Sequence, residues 1–307
     1  MLLSNRDKTA ITYKGTKYSY NQVLIYSQDY ADYFASAGKP QKVLICGQNS
    51  PEWCFAFLGA IRLKAIAVPL DAQSTQKEIE YVINDCKPDI VFITADKKEL
   101  FGEINLCGAR LLTPNEIKLS ESENVPTSEI PMGAAEETML INYTSGTTGS
   151  PKGVMLSYKN VMYNVDSVSK SVPIYQEVSN VMVLLPLHHI LPLLGSLVAP
   201  LHVGGTIHIA EAMNAESIIK TLNEGKISII IGAAYAVDAG KLPAPEVGKV
   251  LKQLKWQLEE TIVIPLGARG SQRTFWRLVS PRRSVIAIAY ETSGRAENAR
   301  YAACAKV

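Results

Sequence analysis

Apolar residues alternate at Ile11, Tyr13, Tyr18 and Tyr20 around Lys14-Gly15-Thr16. This period of two, broken by one glycine, predicts an antiparallel hairpin in which Gly15 supplies the positive φ of the turn. Ser19 and Gln22 then stand three apart, the spacing of a capping box, and Val23, Leu24, Ala31 and Phe34 follow at near-helical intervals until Gly38 and Pro40. Beyond them the pattern predicts a strand over Val43–Cys46, a helix opened by Ser50-Pro51-Glu52 and a strand over Ala65–Val68. A helix over Lys77–Asp85 and a strand over Ile90–Thr94 follow. Strand, helix and strand in regular succession imply a parallel sheet covered by helices, so the fold class is α/β.

Ser120–Glu137 is polar and rich in glutamate, with little periodicity, and reads as a surface loop or linker. It closes a first α/β subdomain over residues 1–137. A second, over 138–260, opens on apolar Met139-Leu140-Ile141 and ends its regular pattern at a strand over Ile227–Ile231. Val247, Val250, Leu251, Leu254 and Leu258 then take the spacing of an amphipathic helix. Residues 261–307 differ in composition: seven Arg and one Lys against two acids, whereas residues 1–260 hold twenty Lys and three Arg. Two readings of this Arg-rich tail stay open, an anionic binding patch and a divergent, spliced or frameshifted end outside the family pattern.

With 47% hydrophobic residues in 307, the chain can bury a sizeable core. A net charge of +2 gives no field to hold a polyanion, so no nucleic-acid partner is implied. Cys46, Cys54, Cys86, Cys107 and Cys304 form no C-x-x-C pair and no even framework, which fits a reducing, cytoplasmic location without a zinc site. Arg6, Asp7 and Lys8 stand where an export signal would carry its apolar segment. Val178–Ala210 lacks Asp, Glu, Lys and Arg, yet Pro186, Pro192, Pro200, Gly204 and Gly205 interrupt it, so a buried strand followed by a buried helix is expected rather than a membrane span.

Chemistry concentrates in Tyr143-Thr144-Ser145-Gly146-Thr147-Thr148-Gly149-Ser150-Pro151-Lys152-Gly153, placed between a predicted strand and a predicted helix. Glycines let successive N–H groups face inward, hydroxyls donate to phosphate oxygens, and the lysine adds a full positive charge. A Walker A loop fails, because Pro151 occupies its second glycine's place and Gly153 follows Lys152. Farther on, Leu185-Pro186-Leu187-His188-His189 offers two histidines whose side chains, as sequence neighbours, are expected to point apart and not to form a metal pair.

Read together, YTSGTTGSPKGV and the LPLxH-like segment resemble the adenylate-forming superfamily of acyl-CoA synthetases, luciferases and peptide-synthetase adenylation domains. The hairpin, Asn49-Ser50-Pro51-Glu52 and Ala67-Val68-Pro69-Leu70 also look like that family's opening sheet, and the likeness covers roughly residues 9–232. The resemblance implies layered sheets with helices, as in the large N-terminal domain of such enzymes. It also implies a two-step reaction using ATP, Mg2+ and coenzyme A: a carboxylate becomes an acyl-adenylate, then a thioester. By carry-over Thr144, Ser145, Gly146, Thr147, Thr148 and Gly149 would wrap the β- and γ-phosphates, Lys152 would stabilise departing pyrophosphate, and His189 would line the junction of acyl and nucleotide sites. His188-His189 and apolar Ile190-Leu191-Pro192-Leu193-Leu194 look more like the fatty-acyl branch, the long-chain fatty acid–CoA ligases, so the expected partner is a fatty acid or other carboxylate. The branch also leaves room for peripheral membrane contact.

After Ile229-Ile230-Ile231-Gly232 the family's Tyr-Gly-x-Thr-Glu motif is expected and not found. Tyr290-Glu291-Thr292-Ser293-Gly294 lacks the glycine after tyrosine, and Glu291 is not assigned to the metal. The pattern is therefore expected to be an incomplete N-terminal portion without the C-terminal lid domain, a truncated and inactive ligase. The alternative is a nucleotide-binding pseudoenzyme or half of a split ligase with a separately encoded C-terminal half.

Overall fold

The computed structural model describes the chain except residues 1, 5, 37, 122–128, 145–150, 172–173, 213, 236–261, 269–272, 281–282 and 291–307. For residues 171, 215, 232–235, 262–268, 273–280 and 283–290 it describes the backbone alone. The chain divides into two units, one of residues 1–178 and 186–209, the other of residues 179–185 and 210–307.

The first unit opens on the expected hairpin, β1 (Thr9–Tyr13) and β2 (Thr16–Ser19), with Lys14 and Gly15 both at positive φ as a two-residue turn of that hand requires. The capping box forms: Gln22 N–H donates to Ser19 Oγ at 3.1 Å and Ser19 N–H to Gln22 Oε1 at 2.8 Å, and α1 (Tyr20–Ser36) begins there. Then come β3 (Lys42–Cys46), α2 (Pro51–Arg62), β4 (Ile66–Leu70), α3 (Gln76–Cys86), β5 (Ile90–Ile93), α4 (Lys98–Gly102) and β6 (Arg110–Leu112). β7 (Thr138–Thr144) joins this same sheet beside β4, and β8 (Lys152–Ser157) closes its edge, giving the order β6-β5-β3-β4-β7-β8. Every pair is parallel except β7–β8.

Strand alternation divides the core between two faces. Leu44, Cys46, Val68, Leu70, Val91 and Ile93 meet Ile79, Val82, Ile83 and Cys86 of α3 and Phe101 of α4. Phe92, between Val91 and Ile93 and so on the opposite face, packs edge-to-face on Tyr30 and Phe34 of α1, and Tyr30 likewise meets Phe55 of α2. Because both faces are covered, the strands are near-continuous apolar runs. Ser50 caps α2 by accepting from Trp53 N–H at 3.2 Å, and Thr75 caps α3 in a reciprocal box with Glu78. Replacing Thr75 with alanine is expected to lower the unfolding free energy by about 1 kcal/mol, read as a shift of the urea midpoint; an unchanged midpoint would show that this solvated cap contributes nothing.

The polar stretch after residue 119 is anchored more than a linker would be. Ser120 bonds Asp29 through both N–H and Oγ, and Ile130 exchanges backbone hydrogen bonds with Leu2 and Leu3. The unit continues with α5 (Tyr158–Asp166), capped by Ser157. After β9 (Asn180–Val183), which belongs to the other unit, it resumes with α6 (Ile190–Pro192), a π-helical stretch over Leu193–Val198, α7 (Ala199–Val203) and β10 (Thr206–Ile209). β10 pairs parallel with β1. The charge-free segment is thus two short strands around a broken helical run, and no helix among the described residues is long and apolar enough to cross a membrane.

In the second unit, α8 (Ala215–Glu224) precedes β11 (Ile229–Tyr235), which pairs parallel with β9. Met182, Leu222 and Ile227 are its described core. β12 (Ile262–Ala268), β13 (Arg273–Ser280) and β14 (Arg283–Tyr290) form an antiparallel meander, and β14 runs parallel to β11. The helix expected over Val247–Leu258 and residues 291–294 of the motif lie outside the described residues, whereas Tyr290 ends β14.

Candidate functional site

The glycine-rich segment connects two strands, which corrects the expected strand–loop–helix. β8 pairs antiparallel with β7 from Thr138↔Ser157 to Thr144↔Lys152, so the segment is a hairpin connection and no helix N-terminus follows it directly. Val154, Met155 and Leu156, which follow the segment, pair with Asn142, Ile141 and Leu140 across the hairpin. Ser145, Gly146, Thr147, Thr148 and Gly149 lie outside the described residues; Thr144 and Lys152 are the two ends from which they spring, both exposed.

Register settles which side these ends face. Directly opposed residues of an antiparallel pair share a face, and alternate residues along a strand share it too. Thr144, Lys152 and Asn142 therefore lie on one face of the hairpin, Ile141, Tyr143 and Gly153 on the other. Asn142 is almost fully buried, and its Nδ2 donates to the His188 carbonyl at 2.6 Å. That bond carries the segment of residues 187–189 onto the face that Thr144 and Lys152 share. Asn49, in the turn before α2, accepts from Leu187 N–H through Oδ1 at 2.9 Å and holds the same segment from the side.

The two histidines do not point apart. Residues 186–189 form a turn closed by His189 N–H on the Pro186 carbonyl at 3.2 Å, and strand alternation does not govern a turn. Their rings lie 3.9 Å apart at 49°. His188 is nine-tenths buried, with Nε2 at 3.6 Å from Asp71 Oδ2, beyond hydrogen-bonding range. Burial, reinforced by the neighbouring His189 and opposed by Asp71, pushes its pKa down to about 3, so it stays neutral. His189 directly precedes α6, and its carbonyl accepts from Leu193 N–H at 3.0 Å.

Of the expected site residues, then, Thr144, Lys152 and His189 are brought toward one face. Asn142, Asn49 and Asp71 were not expected. A lone asparagine inside Met139-Leu140-Ile141-Asn142 did carry a signal, since a buried amide demands partners. Among the described residues no three His, Cys, Asp or Glu gather as a metal cluster. Magnesium commonly takes only one or two carboxylates plus substrate phosphates, so an ion arriving with a nucleotide needs no such cluster. When bound it would neutralise phosphate charge.

The sequence model of a family described as AMP-binding enzyme matches residues 3–263. A long-chain-fatty-acid–CoA ligase from Homo sapiens is 26% identical over 210 residues, covering 61% of this chain and 32% of its own length. A D-alanine–D-alanyl carrier protein ligase from Staphylococcus haemolyticus is 29% identical over 159 residues, with 52% and 31% covered. Among solved structures, apo MatB from Rhodopseudomonas palustris superposes with a TM-score of 0.65 at 24% identity, over 76% of this chain and 48% of that one. An anthranilate–CoA ligase in complex with anthranoyl-AMP gives 0.69 at 18% identity, over 91% and 68%. The chain spans about a third of those two curated relatives, and the structural likenesses establish the α/β fold.

Proposed function

We propose, from the premise that this chain belongs to the AMP-binding enzyme family, that its first unit binds ATP through the β7–β8 hairpin and activates a carboxylic acid as its acyl-adenylate. The observation that carries the reading is the shared face. Thr144 and Lys152 open the phosphate segment on the side where Asn142 fixes residues 187–189. A carboxylate oxygen would attack the α-phosphorus, forming an O–P bond while the bond to the β-phosphate oxygen breaks, and pyrophosphate leaves with the electron pair. Lys152 would hold negative charge on that leaving group, and the hydroxyl and N–H groups of residues 144–149 would orient it. His189, held by the turn, would face the acid. Transfer of the acyl group to the thiol of coenzyme A would complete a ligase cycle.

For the acid we favour a fatty acyl chain. Ile190, Leu191 and Leu194, half-buried after His189, offer apolar surface, and no Asp, Glu, Lys or Arg lies between Val178 and Ala210 to meet an amino acid's second charge. The test is ATP–pyrophosphate exchange by the purified chain with a long-chain fatty acid, ferulate and D-alanine. Exchange with the fatty acid about tenfold above the other two is expected. Preference for ferulate or D-alanine would move the substrate to the aryl or amino-acid class, and ATP binding without exchange would leave a nucleotide-binding module that does no chemistry alone.

A further inference from the structure

The face of the hairpin opposite Lys152 carries a strap that the adenylation reading does not use. Tyr143 is the next-to-last residue of β7, and its register partner on β8 is Gly153. A Cβ built at Gly153 would sit 3.1 Å from Tyr143 Cζ, 3.3 Å from its hydroxyl oxygen and 2.9 Å from Ile141 Cγ2. The tyrosine ring thus lies across β8 in space that only a glycine leaves open. Its hydroxyl donates to Asp85 Oδ2, near the C-terminus of α3. Burial and that bond together raise the phenol's pKa, so the hydroxyl keeps its proton and remains a donor. Asp85 is firmly placed: α3 is pinned to the sheet by Ile79, Val82, Ile83 and Cys86, and its capping residue Lys87 donates its N–H back to the Ile83 carbonyl.

The consequence is mechanical. β8 is an edge strand with no neighbour among the described strands beyond β7, and its residues 152–155 are exposed. A hairpin arm of that kind is free to twist about its pairing with β7. The ring over Gly153 and the bond to Asp85 tie the arm to α3 one residue from Lys152, which fixes the direction in which Lys152 leaves the strand.

We propose that Tyr143, held by Asp85 and seated on Gly153, is a positioning residue that sets Lys152 and Thr144 for the phosphates of ATP without touching the nucleotide. The proposal rests on the adenylation reading and deepens it. It also accounts for the glycine after Lys152, whose place is taken by the ring.

The test compares the full chain with Tyr143→Phe, Asp85→Ala and the double variant, reading ATP affinity by calorimetry and the KM values for ATP and for the acid in pyrophosphate exchange. Phenylalanine keeps the ring over Gly153 and removes the hydroxyl's bonds to Asp85 and to Cys86 of the same helix. Each single variant is expected to weaken ATP binding and raise its KM about tenfold, to leave the acid's KM within twofold, and to combine non-additively, since both cut the Tyr143–Asp85 bond. A general loss of packing would move both KM values together and overturn the strap, as would additive effects or ATP affinities within twofold of the parent. A parent chain that binds no ATP would remove the adenylation reading itself, and the strap's role with it.

Discussion

Between pH 6.5 and pH 5 the chain is expected to lose about 3 kcal/mol of stability, while carboxylates, which titrate lower, contribute little. Two buried histidines of the first unit cause it. His208 on β10 sits opposite Thr12 of β1, with 2.7 Å between Nδ1 and Thr12 Oγ1, and burial, aided by nearby Lys17, lowers its pKa to about 4. His188 is lowered to about 3 by burial and by His189, against the pull of Asp71. Both pKa values are depressed from about 6.5. In this window the unfolded chain takes up protons that the folded chain refuses, so stability begins to fall as the pH comes down to 6.5, and below it the slope approaches about 1.4 kcal/mol per pH unit per histidine. The loss levels off near pH 4 for His208 and near pH 3 for His188. Against a usual total of about 5–15 kcal/mol, this is a sizeable fraction of the stability. Urea unfolding across the window measures it. A variant with His188→Phe, His208→Val and Thr12→Val, which removes His208 together with the hydroxyl it meets on β1, should show a much flatter profile. Superimposable profiles for parent and variant, or a histidine resonance of His188 titrating near 6.5, would refute the argument.

The elements that local pattern determines were legible in the chain. The Lys14-Gly15 hairpin, the Ser19–Gln22 box, the Ser50-Pro51 helix start and the parallel strands form within a few residues of their predicted places, because caps, turns and periodicity act over single turns of chain. β8 was not legible. Lys152–Ser157 has apolar residues in succession, which suit a helix or a strand equally, and only its register with β7 decides between them. The site divides in the same way. The hydroxyls, glycines and lysine announce phosphate chemistry by their residue types. The contacts that hold the hairpin and the histidine turn join residues far apart: Asn142 to His188, Asn49 to Leu187 and Tyr143 to Asp85. A buried asparagine or tyrosine signals that a partner exists, and tertiary structure alone says which one. The contact of the two histidine rings was hidden for a related reason, since alternation holds only within strands and the Pro186 turn takes these residues out of one.

Replacing Lys152 with alanine is expected to lower the rate of pyrophosphate exchange roughly ten- to a hundredfold, the equivalent of losing one charge-assisted contact to phosphate. The position explains why one residue should matter so much. Lys152 is the first residue of β8, held opposite Thr144, exposed and with room to reach a ligand, on the face toward which Asn142 draws residues 187–189. Its charge would meet pyrophosphate as that group leaves, so the loss should fall on kcat more than on the KM for the acid. Arginine at the same place keeps the charge but spreads it over a wider planar group, and should recover only part of the rate. Because Lys152 is exposed, the alanine variant should keep the parent's urea midpoint, separating a catalytic loss from an unfolded sample. Exchange undiminished in Lys152→Ala would place the phosphates elsewhere and take from the hairpin the role proposed for it.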